Sequence, residues 1–262
     1  MIKTLFSLAL VLATLSLSAE IREVKTMSEL EETLMKLNGG EWVLFDVDYT
    51  LTEPKEPALK MSVIKQNKDK FKSELKSFNE SERLMVPVLM VTQSESVLTQ
   101  PEFPSLLTRL HEKKVKTMGF TAIDTASLPD VGSVPRWREK ELSHLALLFD
   151  PPFQASIEFT DFPPFRKTYP LYHSGVLYAN VLPSKGDVLK AFLEQFFFKP
   201  QKIVFVDDTL DNLLSVQEAL KETNISFTGL HYKIEAETIP EVTDSEWRQV
   251  WDKLKDRARS LD

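Results

Sequence analysis

At 262 residues, 42% hydrophobic and 27% charged, with 15 prolines against 7 glycines and no cysteine, the chain has the balance of a globular protein with a full core. That excludes a disordered tail and a disulfide-stapled scaffold. A formal net charge of −7 argues against a dedicated nucleic-acid binder, which presents a basic face to phosphates, and leaves small-molecule chemistry as the simpler expectation.

The chain opens with Lys3, an apolar run from Leu5 to Leu17, and small residues Ser16 and Ser18 spaced for cleavage after Ser18. This pattern predicts an export signal over residues 1–18, a mature domain over 19–262, and a periplasmic or secreted destination. The apolar run falls short of the roughly 20 residues that span a bilayer. With no cysteine there is no lipid-attachment site, so no membrane association is expected once the signal is gone.

Ser28 to Leu37 reads as a helix, with Ser28 and Glu31 as a capping box and Leu30, Leu34 and Leu37 on one face. Gly39-Gly40 ends it, and the strand Trp42 to Phe45 runs into Asp46, Asp48 and Thr50. Between Asp46 and Thr121 the chain is longer than a strand–helix crossover needs, which predicts a mainly helical cap inserted at about 53–100. That stretch holds Lys55, Lys60, Lys65, Lys68, Lys70, Lys72 and Lys76 beside an apolar stripe of Phe71, Leu75 and Phe78. The lysines read as a solvated face or as a surface steering an anionic substrate.

Helix 102–114 then leads to strand 115–120, which stops at Thr121, and helix 136–149 follows. Lys185 precedes a helix at 187–197, and the apolar strand 203–206 runs straight into Asp207 and Asp208. Helix 210–221, a strand at 225–230 and a terminal helix at 244–260 complete the chain. Trp247, Val250, Trp251 and Leu254 mark one side of that last helix, read as core packing before a partner surface. Apolar strands alternating with helices predict an α/β fold whose parallel sheet is covered on both faces. Ligands of such sheets sit at the carboxyl ends of the strands, where Asp46, Thr121 and Asp207 all stand.

Carboxylates at the end of a buried strand need a cation, unless the chain has left the core there, because desolvating an unpaired charge costs several kcal/mol. A calcium loop of EF-hand type is disfavoured by Leu51 and Pro57, where that loop needs glycine and glutamate. Asp207 and Asp208 by themselves would read as a helix cap, and Lys185 by itself as a solvated lysine. Histidines 111, 144, 173 and 231 show no metal spacing.

Taken together, Asp46-x-Asp48-x-Thr50 after an apolar strand, Thr121 ending a second, Lys185 before a helix and Asp207-Asp208 ending a third resemble the four motifs of the haloacid dehalogenase-like (HAD) superfamily, in its phosphatase branch. The resemblance covers roughly residues 41–232, and FVDDTLDNL and TGLHY are also similar to segments of an uncharacterised group of exported bacterial members. It implies a Rossmann-like doubly wound sheet with a small helical cap. It further implies Asp46 as nucleophile, Asp48 as acid and base, and Mg²⁺ held by Asp46, the Asp48 carbonyl and Asp207. Thr50 would support that site, with Asp208 and Asp211 supporting the metal directly or from one layer out, while Thr121 and Lys185 would hold phosphoryl oxygens. Ala122-Ile123 stands where many family phosphatases carry an arginine nearby, which leaves the substrate class open.

The expected activity is an exported Mg²⁺-dependent phosphohydrolase that cleaves small phosphomonoesters through an aspartyl phosphate. A phosphotransferase using the same intermediate is the enzymatic alternative. A non-catalytic binding module that acts on an envelope or host partner is the alternative from another class.

Overall fold

A computed structural model describes residues 19–197 and 199–261, so the expected export signal lies outside the described residues. The first element, β1 (Ala19–Val24), is a strand not expected from the sequence, and only its Val24 is buried. α1 (Met27–Leu34) buries Leu30 and Leu34 as expected, but its capping box is Thr26 with Glu29. Both frames carry the Ser/Thr-x-x-Glu pattern. Thr26 takes the extended cap conformation directly after β1, and Glu31 is left to pair with Arg109 at 2.5 Å.

β2 (Glu41–Phe45) leads into the stretch at about 53–100, where β3 (Thr52–Pro54) and β4 (Ser96–Leu98) pair antiparallel as a neck. Between them lie a 3-10 turn (Pro57–Leu59), α2 (Met61–Gln66), α3 (Lys68–Lys76) and α4 (Glu80–Val91). No residue of α3 is fully buried, and Phe71 and Leu75 pack half-buried against the core. Of the lysines, Lys60 pairs with Glu53 at 2.5 Å, Lys55 with Glu95 at 3.1 Å and Lys70 with Asp244.

α5 (Phe103–Glu112), β5 (Lys116–Thr121), the short pair β6 (Ser127–Leu128) and β7 (Gly132–Ser133), and α6 (Val134–His144) follow. α6 stops short of the expected 149 because Ala146 turns left-handed at φ 56° and Pro151 and Pro152 forbid a longer helix. β8 (Ile157–Glu158), β9 (Leu171–His173), β10 (Val176–Tyr178), α7 (Lys185–Glu194), β11 (Lys202–Asp207), α8 (Leu210–Leu220), β12 (Ser226–Tyr232) and α9 (Asp244–Arg259) complete the fold. α7 starts two residues earlier than expected because Ser184 caps it, accepting from Asp187 N at 3.1 Å, so Lys185 is its first residue.

The architecture is mixed α/β with a mostly parallel central sheet. Among the described residues its order is β1-β12-β11-β2-β5-β10-β9-β8, parallel from β1 to β10 and antiparallel through β9 and β8. Successive strand residues face opposite ways: Val43, Phe45, Val204 and Val206 join one apolar cluster, and Trp42, Leu44, Ile203 and Phe205 the other. α1, α5 and α9 feed the first cluster, α7 and α8 the second, so helices cover both faces. β5 lies to one side of β2 and β11 to the other, so the ends of β2 and β11 emerge side by side where the chain direction across the sheet reverses.

Trp247, Trp251 and Leu254 of α9 are buried, with Trp251 stacked on Trp247 at 5.6 Å and edge-on to Phe71 at 5.5 Å. Arg257 donates to Thr92 Oγ1 at 3.0 Å. Core packing against the cap accounts for this helix. Among the described residues no helix is long and apolar enough to cross a membrane.

α7 and α8 approach so closely that a Cβ at Gly186 would lie 2.1 Å from the backbone oxygen of Ser215. Gly186→Ala therefore has to push the two helices apart. It should lower stability by about 1–3 kcal/mol or more, read as a fall in the urea midpoint at unchanged slope.

Candidate functional site

The end of β2 and the end of β11 bring Asp46 and Asp207 together, and the next residue adds Asp208. One carboxylate oxygen of each lies within 4.8 Å of the others. Into this cluster reaches Lys185, 2% exposed. Its Nζ donates to Asp46 Oδ1 at 2.5 Å, Asp207 Oδ2 at 2.7 Å and Phe120 O at 2.8 Å. An ammonium has three protons, and all three are engaged. Burial alone would discharge the lysine, but Asp207 and Asp46 outweigh it and hold its pKa above the ordinary lysine range.

The loop that delivers Lys185 is held by backbone conformations side chains rarely adopt. Asn180 and Val181 stand at φ 56° and 70°, the latter a costly choice for a β-branched residue. Asn180 is fixed there because its side chain accepts from Thr125 N at 3.0 Å and donates to Thr168 O at 2.8 Å. Val181 N donates to Ala122 O at 2.9 Å.

The other expected residues differ in how they meet this cluster. Thr50 meets the cluster directly, donating to Asp46 Oδ2 at 3.0 Å and accepting from Asp208 N at 3.2 Å. Asp208 brings its own carboxylate into the cluster. Asp211 is exposed on the first turn of α8, and the supporting role falls to its neighbour Asn212, whose Nδ2 donates to both Asp207 oxygens at 3.1 Å.

Thr121 and Asp48 meet each other. The fully buried Thr121 hydroxyl accepts from Ile123 N at 3.2 Å and donates to Asp48 Oδ2 at 2.6 Å, so it anchors a carboxylate. The side chain of Asp48 lies outside the three-carboxylate cluster. Its Oδ1 pairs with Arg138, which has no exposed surface and also pairs with Glu141, itself an acceptor from Ser96 of the cap neck. Burial pushes the Glu141 carboxyl up, against the pull of Arg138. Arg138 and Asn212 are the residues the sequence reading missed. Asn212 was within sight, one position after Asp211, whereas Arg138 sits 90 residues from Asp48 in a stretch that reads as an ordinary charged helix.

Asp46, Asp48 and Asp208 line a cleft of about 270 Å³ between the strand ends and the cap, with Leu84, Pro87 and Val88 of α4 opposite. In the cluster, three carboxylates against one ammonium leave a formal excess of two negative charges. Burial pushes the Asp46 carboxyl well above its ordinary range; Lys185 opposes this, and Asp207, Asp208 and Asp48 add to it. Burial and the neighbouring Asp207 push Asp208 up to about 6. An all-oxygen, negatively charged cluster of this kind could hold a hard divalent cation.

Residues 23–259 match the family described as protein of unknown function (DUF2608). The chain belongs to DUF2608. An uncharacterised protein of Rickettsia conorii is 23% identical over 247 residues, covering 88% of this chain and 82% of that relative. A Chlamydia trachomatis protein named "Putative outer membrane protein" is 23% identical over 217 residues, covering 82% of this chain and 77% of that relative. No solved structure gives a significant match to this DUF2608 chain.

Breaking the Asp48–Arg138 pair tests how far the site depends on it. Arg138→Met leaves Asp48 and Glu141 without their cation and should destabilise the fold by about 3–5 kcal/mol. Adding Asp48→Asn should bring back part of that loss, so the double variant loses less than the sum of the singles in urea unfolding. Strict additivity would show that the pair is not coupled.

Proposed function

We propose that the protein is an exported, Mg²⁺-dependent phosphohydrolase of the HAD type that cleaves small phosphomonoesters. The observation that carries this reading is the meeting of Asp46, Asp207 and Asp208 around a buried lysine at the ends of two neighbouring parallel strands. Supporting it are the order of the motif residues along the chain and a sheet compatible with the Rossmann-like fold those motifs imply. The helical stretch between β3 and β4 suits a cap over the cleft.

The donor set fits Mg²⁺, which takes oxygen ligands and binds through few carboxylates. Asp46, Asp207 and Asp208, with the Asp48 carbonyl, would hold the ion, which when bound offsets the charge between an anionic nucleophile and a phosphate. Asp46 attacks phosphorus, the bond from phosphorus to the leaving oxygen breaks, and an aspartyl phosphate forms. Asp48 gives the leaving oxygen its proton, then takes one from the water that displaces Asp46 and releases phosphate. Lys185 acts from below, keeping Asp46 and Asp207 together despite their like charge. Arg138 and Thr121 fix the orientation of Asp48.

The outer-membrane name of the chlamydial relatives supports a place in the cell envelope or beyond, in line with the expected signal.

Hydrolysis of an aryl phosphate should require Mg²⁺ and vanish in excess chelator. Rapid quenching of wild type should give a one-phosphoryl mass adduct, and Asp46→Asn should abolish both turnover and that adduct. Asp48→Asn, losing a role worth roughly 10² to 10⁴ in rate, should still form the adduct. Full activity in chelator, or in Asp46→Asn, refutes the mechanism.

A further inference from the structure

The central sheet ends at β1, and among the described residues nothing pairs with the outer edge of that strand. Five of its six residues, AEIREV, are exposed or half-buried. An open edge is a template for another strand, and charged side chains are the usual guard against it. Glu20, Arg22 and Glu23 supply the charges, but their order leaves one gap in the guard.

Side chains alternate across β1. Val24 joins the apolar cluster fed by α1, and Arg22 donates to Thr33 of α1, whereas Ile21 packs against the cluster fed by α7 and α8. A second β1 laid antiparallel beside the first is related to it by a two-fold axis through one residue, because directly opposed residues point to the same face. An axis at Glu20 or at Glu23 sets glutamate against glutamate, and one at Arg22 sets arginine against arginine. With the axis at Ile21, Glu20 lies opposite Arg22 of the second copy, twice by symmetry, and Ile21 meets Ile21. Opposite charges directly across a strand pair are favourable and like charges are not, so the charges select this one register.

The helix beside the edge carries apolar surface to match. α8 packs on β12 and β1 and buries Leu213, Val216 and Leu220. Its side toward α7 is marked by Ser215 and Ala219, which Gly186 approaches. Leu210 and Leu214 lie roughly 140–180° round the helix from Ala219, on the flank that faces out past β1. They are 42% and 45% exposed.

We propose that β1 is a self-recognition edge: a second copy of this chain adds its own β1 antiparallel, centred on Ile21, so that two sheets become one and the two α8 flanks meet over the joint. The pairing is isologous and uses up the edge, so association closes at a dimer. The opposite edge of the sheet, β8, is two residues long and offers no comparable template.

The chain has no cysteine, so single cysteines read the register. Under mild oxidation with diamide, Ile21→Cys should give mostly disulfide-linked dimer, because the axis sets position 21 against itself. Glu23→Cys is four residues from its own copy along the paired strands, about 13 Å, and should cross-link at least tenfold more slowly despite its greater exposure. In sedimentation equilibrium wild type should be a dimer, and Arg22→Glu, which puts glutamate against glutamate, should raise its dissociation constant by about tenfold or more. Adding Glu20→Arg reverses both charges and should restore most of the loss, with circular dichroism confirming that each variant is folded. Leu210→Ser combined with Leu214→Ser should weaken the dimer without touching the charges. A wild type that stays monomeric up to millimolar concentration, assembly that grows beyond two copies, equal cross-linking at positions 21 and 23, or a charge swap that restores nothing each overturns the proposal.

Discussion

A single buried ammonium organises this molecule. Asp46 and Asp207 end neighbouring strands, and two desolvated carboxylates that close would drive those strand ends apart. Lys185 bridges them and, through Phe120 O, ties in the end of β5 as well. Three parallel strands are thereby fixed in relative position by one side chain. The strained Asn180-Val181 step, the Ser184 cap and the close approach at Gly186 all set the start of α7 where that side chain can reach the cluster.

Around this centre the charges are arranged in two separate groups. Asp46, Asp207 and Asp208 share Lys185 and keep an excess of negative charge. Asp48 belongs with Arg138, Glu141 and Thr121, a network closed by Ser96 in the neck of the cap. Two aspartates only two residues apart thus sit in unlike surroundings, which is the condition for giving them unlike tasks. Because the second group runs from the strand edge through α6 to β4, the setting of Asp48 depends on the cap being seated.

Much of this was legible in the sequence, and the reason differs by residue. The apolar runs 42–45 and 203–206 announce buried parallel strands because both their faces meet apolar clusters, so no polar alternation interrupts them. Aspartates directly after such runs mark the edge where function sits. Lys185 and Thr50 were picked out by the family motifs that the sequence resembles. What could not be read is pairing across distance. Arg138 and Asp48 meet through the fold, and nothing local in the helix around Arg138 separates it from a solvated arginine. Local ambiguity accounts for other differences: two overlapping capping frames near residue 28, and an acidic and an amide residue adjacent at 211 and 212, of which only the fold shows which one turns inward. The strand β1 was missed because an edge strand with one buried residue carries almost no periodic signal.

The seating of α9 on the cap has a bearing on how the chain folds. Arg257 meets Thr92 across 165 residues of sequence, and Trp247 meets Glu74 across 173. Contacts of such separation form late, because the loop they close is long and its entropy is lost before any contact compensates it. The cap can pair its own neck early, since β3 and β4 are near in sequence, yet it lacks its support until the final helix arrives. The sheet carries the same cost, since β1 near the start of the described chain pairs with β12 near its end, so the edge of the sheet and the support of the cap both wait on the last part of the chain. Until α9 is seated, apolar surface around Phe71, Trp247 and Trp251 is exposed, and there the chain is open to aggregation or to the hold of a chaperone.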